Sequence, residues 1–238
     1  MVTSIRIGEI EAEVTFKAIR NVHLSVHPPS GRVRIAAPLR MKLDTVRVFA
    51  ISRLGWIRQQ QQTIAAQERE TKREYIERES HYVWGRRYLL SVVEADERPS
   101  VELRHRQLVL RVRAGFDRDR KLEVVENWLR QQVREATRTI ITEWEPKIGV
   151  TVAGFYVRRM KTRWGSCNTK AGTIRLNTDL AKKPLECLEY VTVHEMVHIL
   201  EPTHNERFMA LMNQLMPDWK QRRQTLNRLP VRHEDWLY

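Results

Sequence analysis

PLECLEYVTVHEMVHILE, running from Pro184 to Glu201, is an apolar-rich stretch that carries His194, Glu195 and His198 near its end. Proline at the first turn and Pro202 just past the last one are what a bounded helix uses, so the spacing predicts one helix here. On a helix, residues four apart lie on one face about a turn apart, and both imidazoles can therefore reach one ion. Burying two histidines and a glutamate among Val and Leu is costly unless they are paired or bound to a metal. His204 follows six positions after His198, close enough for a short turn to return it to the same ion.

Three neutral histidines leave one tetrahedral position open, the mark of a catalytic rather than a structural zinc site. Glu195, beside the first ligand, is placed to act as general base on a metal-activated water. Nitrogen donors favour Zn2+ over calcium or magnesium, although manganese, cobalt, nickel or iron suit the same three rings. The residues by themselves therefore point to metal-assisted hydrolysis.

Downstream, ERFMALMNQLM and PDWKQRRQTLNRL read as two further helices. Upstream, TVAGFYVRRM and GTIRLN read as strands. Before them KLEVVENWLRQQVREATRTIITEWEPKIG carries a stripe of Leu122, Val125, Trp128, Leu129, Val133, Ile140, Ile141 and Trp144, which predicts a long helix after Asp117. HYVWGRRYLLSVVEA and VELRHRQLVLRVR alternate as strands wet on one face. Ile5 to about Pro38 reads as strands joined by hairpins, with a turn at the PPSG of Pro28 to Gly31. Leu43 to about Gln67 reads as one long helix. No internal repeat is visible.

The expected fold class is α+β: a strand-rich N-terminal region with one long helix over 1–116, then a mainly helical domain with a small sheet over 117–238. A chain of 238 residues can bury a real core without disulfides. Its two cysteines, Cys167 and Cys187, suit a reducing compartment. The opening MVTSIRIGEI has no apolar core of signal-peptide length, and no run approaches a membrane span, so the expectation is a soluble cytoplasmic protein with no membrane partner. A net charge of +13 favours encounter with polyanions, but the basic residues are scattered, which is also what a solvated face looks like.

RWGSCNTKAGTIRLNTDLAKKPLECLEYVTVHEMVHILEPTHNERF resembles the signature of the YgjP-like zinc-dependent metallopeptidase family, related more distantly to the SprT-like proteases. The shared features are a Trp-Gly-Ser-Cys turn, an Asn-containing strand, the HExxH helix, and a later His followed four positions on by Phe. KAIRNVHLSVHPPSGRVRIAAPLRMKLDTVRVFAISRLGWI and HYVWGRRYLL resemble the strand-rich region before the family's zinc domain. The resemblance implies a zincin-like catalytic domain, with zinc on His194, His198 and His204, Glu195 as general base, and a peptide or protein substrate. Metzincin proteases share the six-residue step, but Glu201 stands where their turn glycine belongs, so the chain is not placed among them.

Other residues near the motif are candidates for the cleft or for support of the ligands. Trp164, Gly165, Ser166 and Cys167 suit a cleft wall or a tight turn with a buried aromatic, and Cys167 could also close the metal site as a fourth ligand. Arg163 and Tyr190 can stabilise an oxyanion. Asn177 and Asp179 are candidate partners for the ligand histidines. Cys187 reads as core, and His233 and Tyr238 as surface. Two other functions stay open: hydrolysis of a phosphorylated or nucleotide substrate, drawn by Lys161, Arg163 and Arg175, and a nucleic-acid-associated zinc protein acting on bound proteins.

Overall fold

The computed structural model describes residues 2–27, 30–66, 70–161 and 163–230. The chain divides into two compact units, with the break between Glu70 and Thr71. In the first, strands β1 (Val2–Ile7), β2 (Ile10–Lys17), β3 (His23–His27) and β4 (Arg32–Pro38) form a sheet in the order β1-β2-β4-β3. The inner strands β2 and β4 run parallel, and each has an antiparallel outer partner. Ala12, Val14, Val33, Ile35 and Ala37 project from the inner strands into a core closed by Val46, Ala50 and Ile57. The strands expected before Pro38 are therefore present, while Pro28 and Pro29 of the expected turn lie outside the described residues.

The helix expected over Leu43 to Gln67 is two helices, α1 (Leu43–Ser52) and α2 (Leu54–Ala66). Arg53 leaves the helical region (φ −106°, ψ 8°), and its N–H bonds to Ala50 O at 3.1 Å, a tightened last turn. Ser52 Oγ donates to Phe49 O at 2.7 Å, which competes with the helical pattern at the same place. As a result the apolar residues do not form one stripe: Val46 and Ile57 are buried, but Ile51 is 53% exposed.

In the second unit, β5 (Ser80–Val83), β6 (Arg86–Glu94), β7 (Ser100–Arg104) and β8 (Gln107–Val112) form a sheet in the order β5-β6-β8-β7, again with parallel inner strands and antiparallel outer ones. The topology of the first sheet is thus repeated, and in both cases a helix follows the fourth strand. No sequence repeat announces it, because two hairpins need only turn residues and alternation, which unlike sequences can supply.

Helix α3 (Arg118–Ile148) starts where expected: Asp117 caps it by accepting from Arg120 N at 2.9 Å, and Gly149 ends it in the left-handed region at φ 77°. Val125, Leu129, Val133, Ile140, Ile141 and Trp144 are buried along one side. They share a single core with Leu90, Leu108 and Leu110 of the second sheet and with Leu188, Val193 and Met196 further on. The division expected at 116/117 accordingly falls inside the second unit.

The rest of this unit holds β9 (Gly154–Arg158), β10 (Gly165–Asn168) and β11 (Thr173–Asn177), a 3-10 turn (Thr178–Lys182), and helices α4 (Leu185–Leu200), α5 (Glu206–Leu215) and α6 (Trp219–Arg228). The three strands form a small sheet ordered β10-β11-β9, with β10 at an edge. Trp164 to Cys167, read as a turn, instead leads into and forms most of β10, paired antiparallel with β11 from Gly165↔Leu176 to Asn168↔Thr173. The fold class is α+β, as expected, with helices prevailing in the C-terminal part. No helix among the described residues is long and apolar enough to cross a membrane.

Contact between the second sheet and α4 is made by a hairpin tip. Trp84 and Gly85 join β5 to β6 with φ of 49° and 75°, as a two-residue hairpin with both central residues left-handed requires. Trp84 N–H donates to Ala181 O at 2.7 Å, and a Cβ on Gly85 would lie 2.9 Å from Pro184 Cγ. Pro184 is the residue that opens α4. Gly85→Ala adds backbone strain and pushes on that start, so it is expected to cost about 1–3 kcal/mol in the second unit, read as a lower urea midpoint.

Candidate metal centre

Helix α4 is buried nearly all round, with Leu188, Val191, Val193, Met196 and Val197 in the core, and it packs on α3, α5, α6, β10 and β11. A helix so placed does not rotate or slide easily, which fixes the direction of its polar side chains. Trp144 of α3 donates its indole N–H to Glu189 at 3.0 Å, and Arg222 of α6 bonds to the other oxygen of the same carboxylate. One turn on come His194 and Glu195.

The chain after α4 is shaped to bring His204 back. Glu201 is extended (φ −137°, ψ 102°), Pro202 ends the helix, and Glu201 Oε1 accepts from Thr203 Oγ1 at 3.0 Å. Asn205 then caps α5 by accepting from Phe208 N at 3.0 Å. These local bonds set the loop whose shape the sequence left open.

His204 Nε2 lies 3.0 Å from His194 Nε2 and 3.2 Å from His198 Nε2. All three nitrogens lie within 4.8 Å of one another, and nitrogens at 2.0–2.1 Å from a tetrahedral zinc stand roughly 3.3 Å apart, so the two separations at His204 suit an ion among them. His198 Nδ1 is 2.9 Å from Glu201 O, an acceptor only, which assigns the ring hydrogen to Nδ1 and leaves a lone pair on Nε2. Burial, then the neighbouring rings and Arg223, push His194 down to about 3; burial and the same kinds of charge lower His204. A divalent cation placed among the three rings would satisfy all three nitrogens at once. Among the described residues, this group is the three histidines and does not include Cys167.

Phe208, 1% exposed, stands behind all three rings, with centroids 4.9, 4.6 and 4.8 Å from His194, His198 and His204. It is the Phe four positions after His204, and its role as an apolar backing was not legible from spacing. Glu195 is 6% exposed; burial pushes its carboxyl up to about 8, with the Arg163 charge pulling the other way. Gly165 makes room for it. A Cβ there would lie 2.6 Å from Glu195 Oε1 and 2.8 Å from Val191 Cγ1.

These groups line a cavity of about 670 Å3 bounded by the β10 strand on one wall and by α6 on another. Arg163, Trp164, Gly165, Ser166, Cys167 and Tyr190 all line it, as a cleft wall was expected to. The Cys167 thiol is pushed up to about 11 by burial and the Glu195 charge, and Cys187 is buried in the core. Asn177 and Asp179 do not line the cavity. Asn177 holds the approach to β10, donating to Met160 O and Arg163 O at 2.8 and 3.0 Å, and caps the 3-10 turn at Asp179 N; Asp179 pairs with Lys182 at 3.3 Å. The partner found for His198 is a main-chain carbonyl instead. Of Lys161, Arg163 and Arg175, Arg163 alone is among the lining residues. His233 and Tyr238 lie outside the described residues.

From α6 the cavity receives Trp219, Arg223 and Asn227, none of which the sequence reading singled out. Trp219 stacks on Tyr190 with planes 12° apart. Their helical spacing in PDWKQRRQTLNR was visible, but nothing in it said which face would meet the histidines.

No curated protein matches the chain. Among solved structures it is similar to the metallopeptidase zymogen jannalysin of Methanocaldococcus jannaschii, at 20% identity and TM-score 0.35, over 38% of this chain and 86% of that one. It is likewise similar to the metallopeptidase zymogen abylysin of Pyrococcus abyssi, at 18% identity and TM-score 0.35, over 40% and 98%. The family described as YgjP-like, metallopeptidase domain, matches residues 20–229, a span that holds the three histidines, Glu195 and Phe208. Over nearly its whole length, then, this chain belongs to the YgjP-like metallopeptidase family.

Proposed function

We propose that this protein is a zinc-dependent peptidase with His194, His198 and His204 as its ligands and Glu195 as its general base. The observation that carries the reading is the meeting of three histidine rings, with His204 Nε2 3.0 and 3.2 Å from the Nε2 atoms of His194 and His198, in a cavity that Glu195 also lines. Zinc on three imidazoles supplies a Lewis acid that polarises a carbonyl and lowers the pKa of water from about 15.7 to roughly 7.

The chain's own groups do the rest. Glu195 takes a proton from the attacking water as the new C–O bond forms, and returns it to the amine nitrogen as the C–N bond breaks. Its buried position keeps its proton affinity near the working range that such a shuttle needs. The Tyr190 phenol and the Arg163 guanidinium, both lining the cavity, are donors for the carbonyl oxygen as it gains charge. Among the described residues strand β10 is paired on one side only, by β11, so its other edge can pair with an extended substrate and hold the scissile bond beside α4.

A peptide substrate is favoured by the family and by this strand edge. A phosphorylated substrate and a nucleic-acid surface gain no support from the comparisons, and of the three basic residues that suggested a phosphorylated substrate only Arg163 lines the cavity.

Purified protein replenished with zinc and dialysed is expected to hold one ion per chain, and His198→Ala to hold none, by elemental analysis. With metal retained, Glu195→Gln is expected to lower cleavage of a mixed peptide pool by about 10²- to 10⁴-fold; equal turnover removes Glu195 from the reaction. Gly165→Ala is expected to keep the metal and lose most turnover, because the added methyl displaces the Glu195 carboxylate and leaves the rings alone.

A further inference from the structure

Helix α6 does more than close the cavity. Arg222 is tied to Glu189 and, at 2.8 Å, to Asp218, and Trp219 Nε1 donates to Asn213 Oδ1 at 2.8 Å. With Leu226 buried as well, one side of the helix is fixed to the body of the unit. Lys220, Arg223, Gln224, Asn227 and Arg228 fall at the spacings i, i+3, i+4, i+7 and i+8 and so share another side.

That side lines a second, shallow hollow of about 420 Å3, floored by Met209 and Trp219. Met209, Trp219, Arg223 and Asn227 belong to both hollows, so the second is a continuation of the first. Lys220, Arg223 and Arg228 line it, and no acidic residue among the described residues does. Among the described residues none of these three cations has a carboxylate partner, in contrast to Arg222 next door. In the catalytic cavity, Glu195 is the only carboxylate among the described lining residues, against Arg163 and Arg223.

We propose that the α6 hollow is a substrate subsite for acidic residues, in which Lys220, Arg223 and Arg228 select polypeptides with Asp or Glu on one flank of the scissile bond. The inference rests on the peptidase reading and names the substrate class for it. Unpaired cations along a groove that opens from the catalytic cavity attract carboxylates and repel lysine-rich chains. The Trp219 and Met209 floor gives the side-chain methylenes an apolar surface, and Arg223, at the junction, meets the residue nearest the scissile bond.

The test uses the full-length zinc protein and three matched peptides that differ on one flank, carrying three Glu, three Gln or three Lys. Each exposed ion pair contributes up to about fivefold, so kcat/KM is expected to run Glu over Gln by roughly tenfold or more, with Lys lowest. In Lys220→Gln/Arg228→Gln the Glu-to-Gln ratio is expected to fall toward one, and in Arg223→Glu the Lys peptide is expected to overtake the Glu peptide. Equal ratios in wild type and variants overturn the subsite. Binding of the same labelled peptides to the Glu195→Gln protein, read by anisotropy, separates the two claims. A Glu preference that the Lys220 and Arg228 changes abolish upholds the subsite even if no peptide is cleaved, and no such preference overturns it. Tighter binding of a single-stranded oligonucleotide of equal charge, lost in the same variants, overturns it in favour of a nucleic-acid surface.

Discussion

Three imidazole rings converge, with His204 Nε2 3.0 Å from that of His194 and 3.2 Å from that of His198, and that convergence is the constraint around which the second unit is organised. A cation placed among them would give each of these nitrogens a partner. Holding the rings there requires a support that cannot relax. Helix α4 provides this by being packed on several elements at once, and Phe208 prevents the rings from turning away into its volume. The single main-chain bond from His198 Nδ1 to Glu201 O ties ring orientation to the loop that returns His204.

Around that centre, small details of backbone do what large side chains cannot. Gly165 lets β10 approach α4 closely enough for the Glu195 carboxylate to sit against the strand, so that carboxylate and an edge strand come to share one wall. Gly85 lets a hairpin tip press on Pro184, which links the second sheet to the start of the same helix. Gly165 is read from the sequence as part of a turn and Gly85 as part of a strand-rich stretch; the first is a strand residue whose missing side chain is the point, and the second a hairpin tip.

The repeated four-stranded topology shows how one architecture serves two ends. In the first unit its inner strands form a core with two short helices. In the second they form a core with α3, whose far end then supports α4 through Trp144 and Glu189. Continuity of that core is why the strand-rich stretch before α3 is part of the unit that carries the three histidines, although its alternating pattern resembles the N-terminal strands more than the helices it packs on.

The sequence by itself determined the features that are local. HExxH on a helix bounded by prolines, the third histidine, the Asp117 cap, the Gly149 stop and the strand alternation all act over a few residues, and short-range geometry is enough to interpret them. The family likeness carried by the Trp-Gly-Ser-Cys to Phe208 segment belongs with these, because it too is written in order along the chain. Only the tertiary structure decided what depends on distant residues meeting. That includes the break at Arg53, β10 as an edge strand, Asn177 holding a loop and not a ligand, and α6 turning Trp219 and Arg223 toward the histidines. The physical reason is that burial and pairing are properties of surroundings: Arg222 and Arg223 are identical in sequence, but the fold gives one a carboxylate and leaves the other facing the cavity.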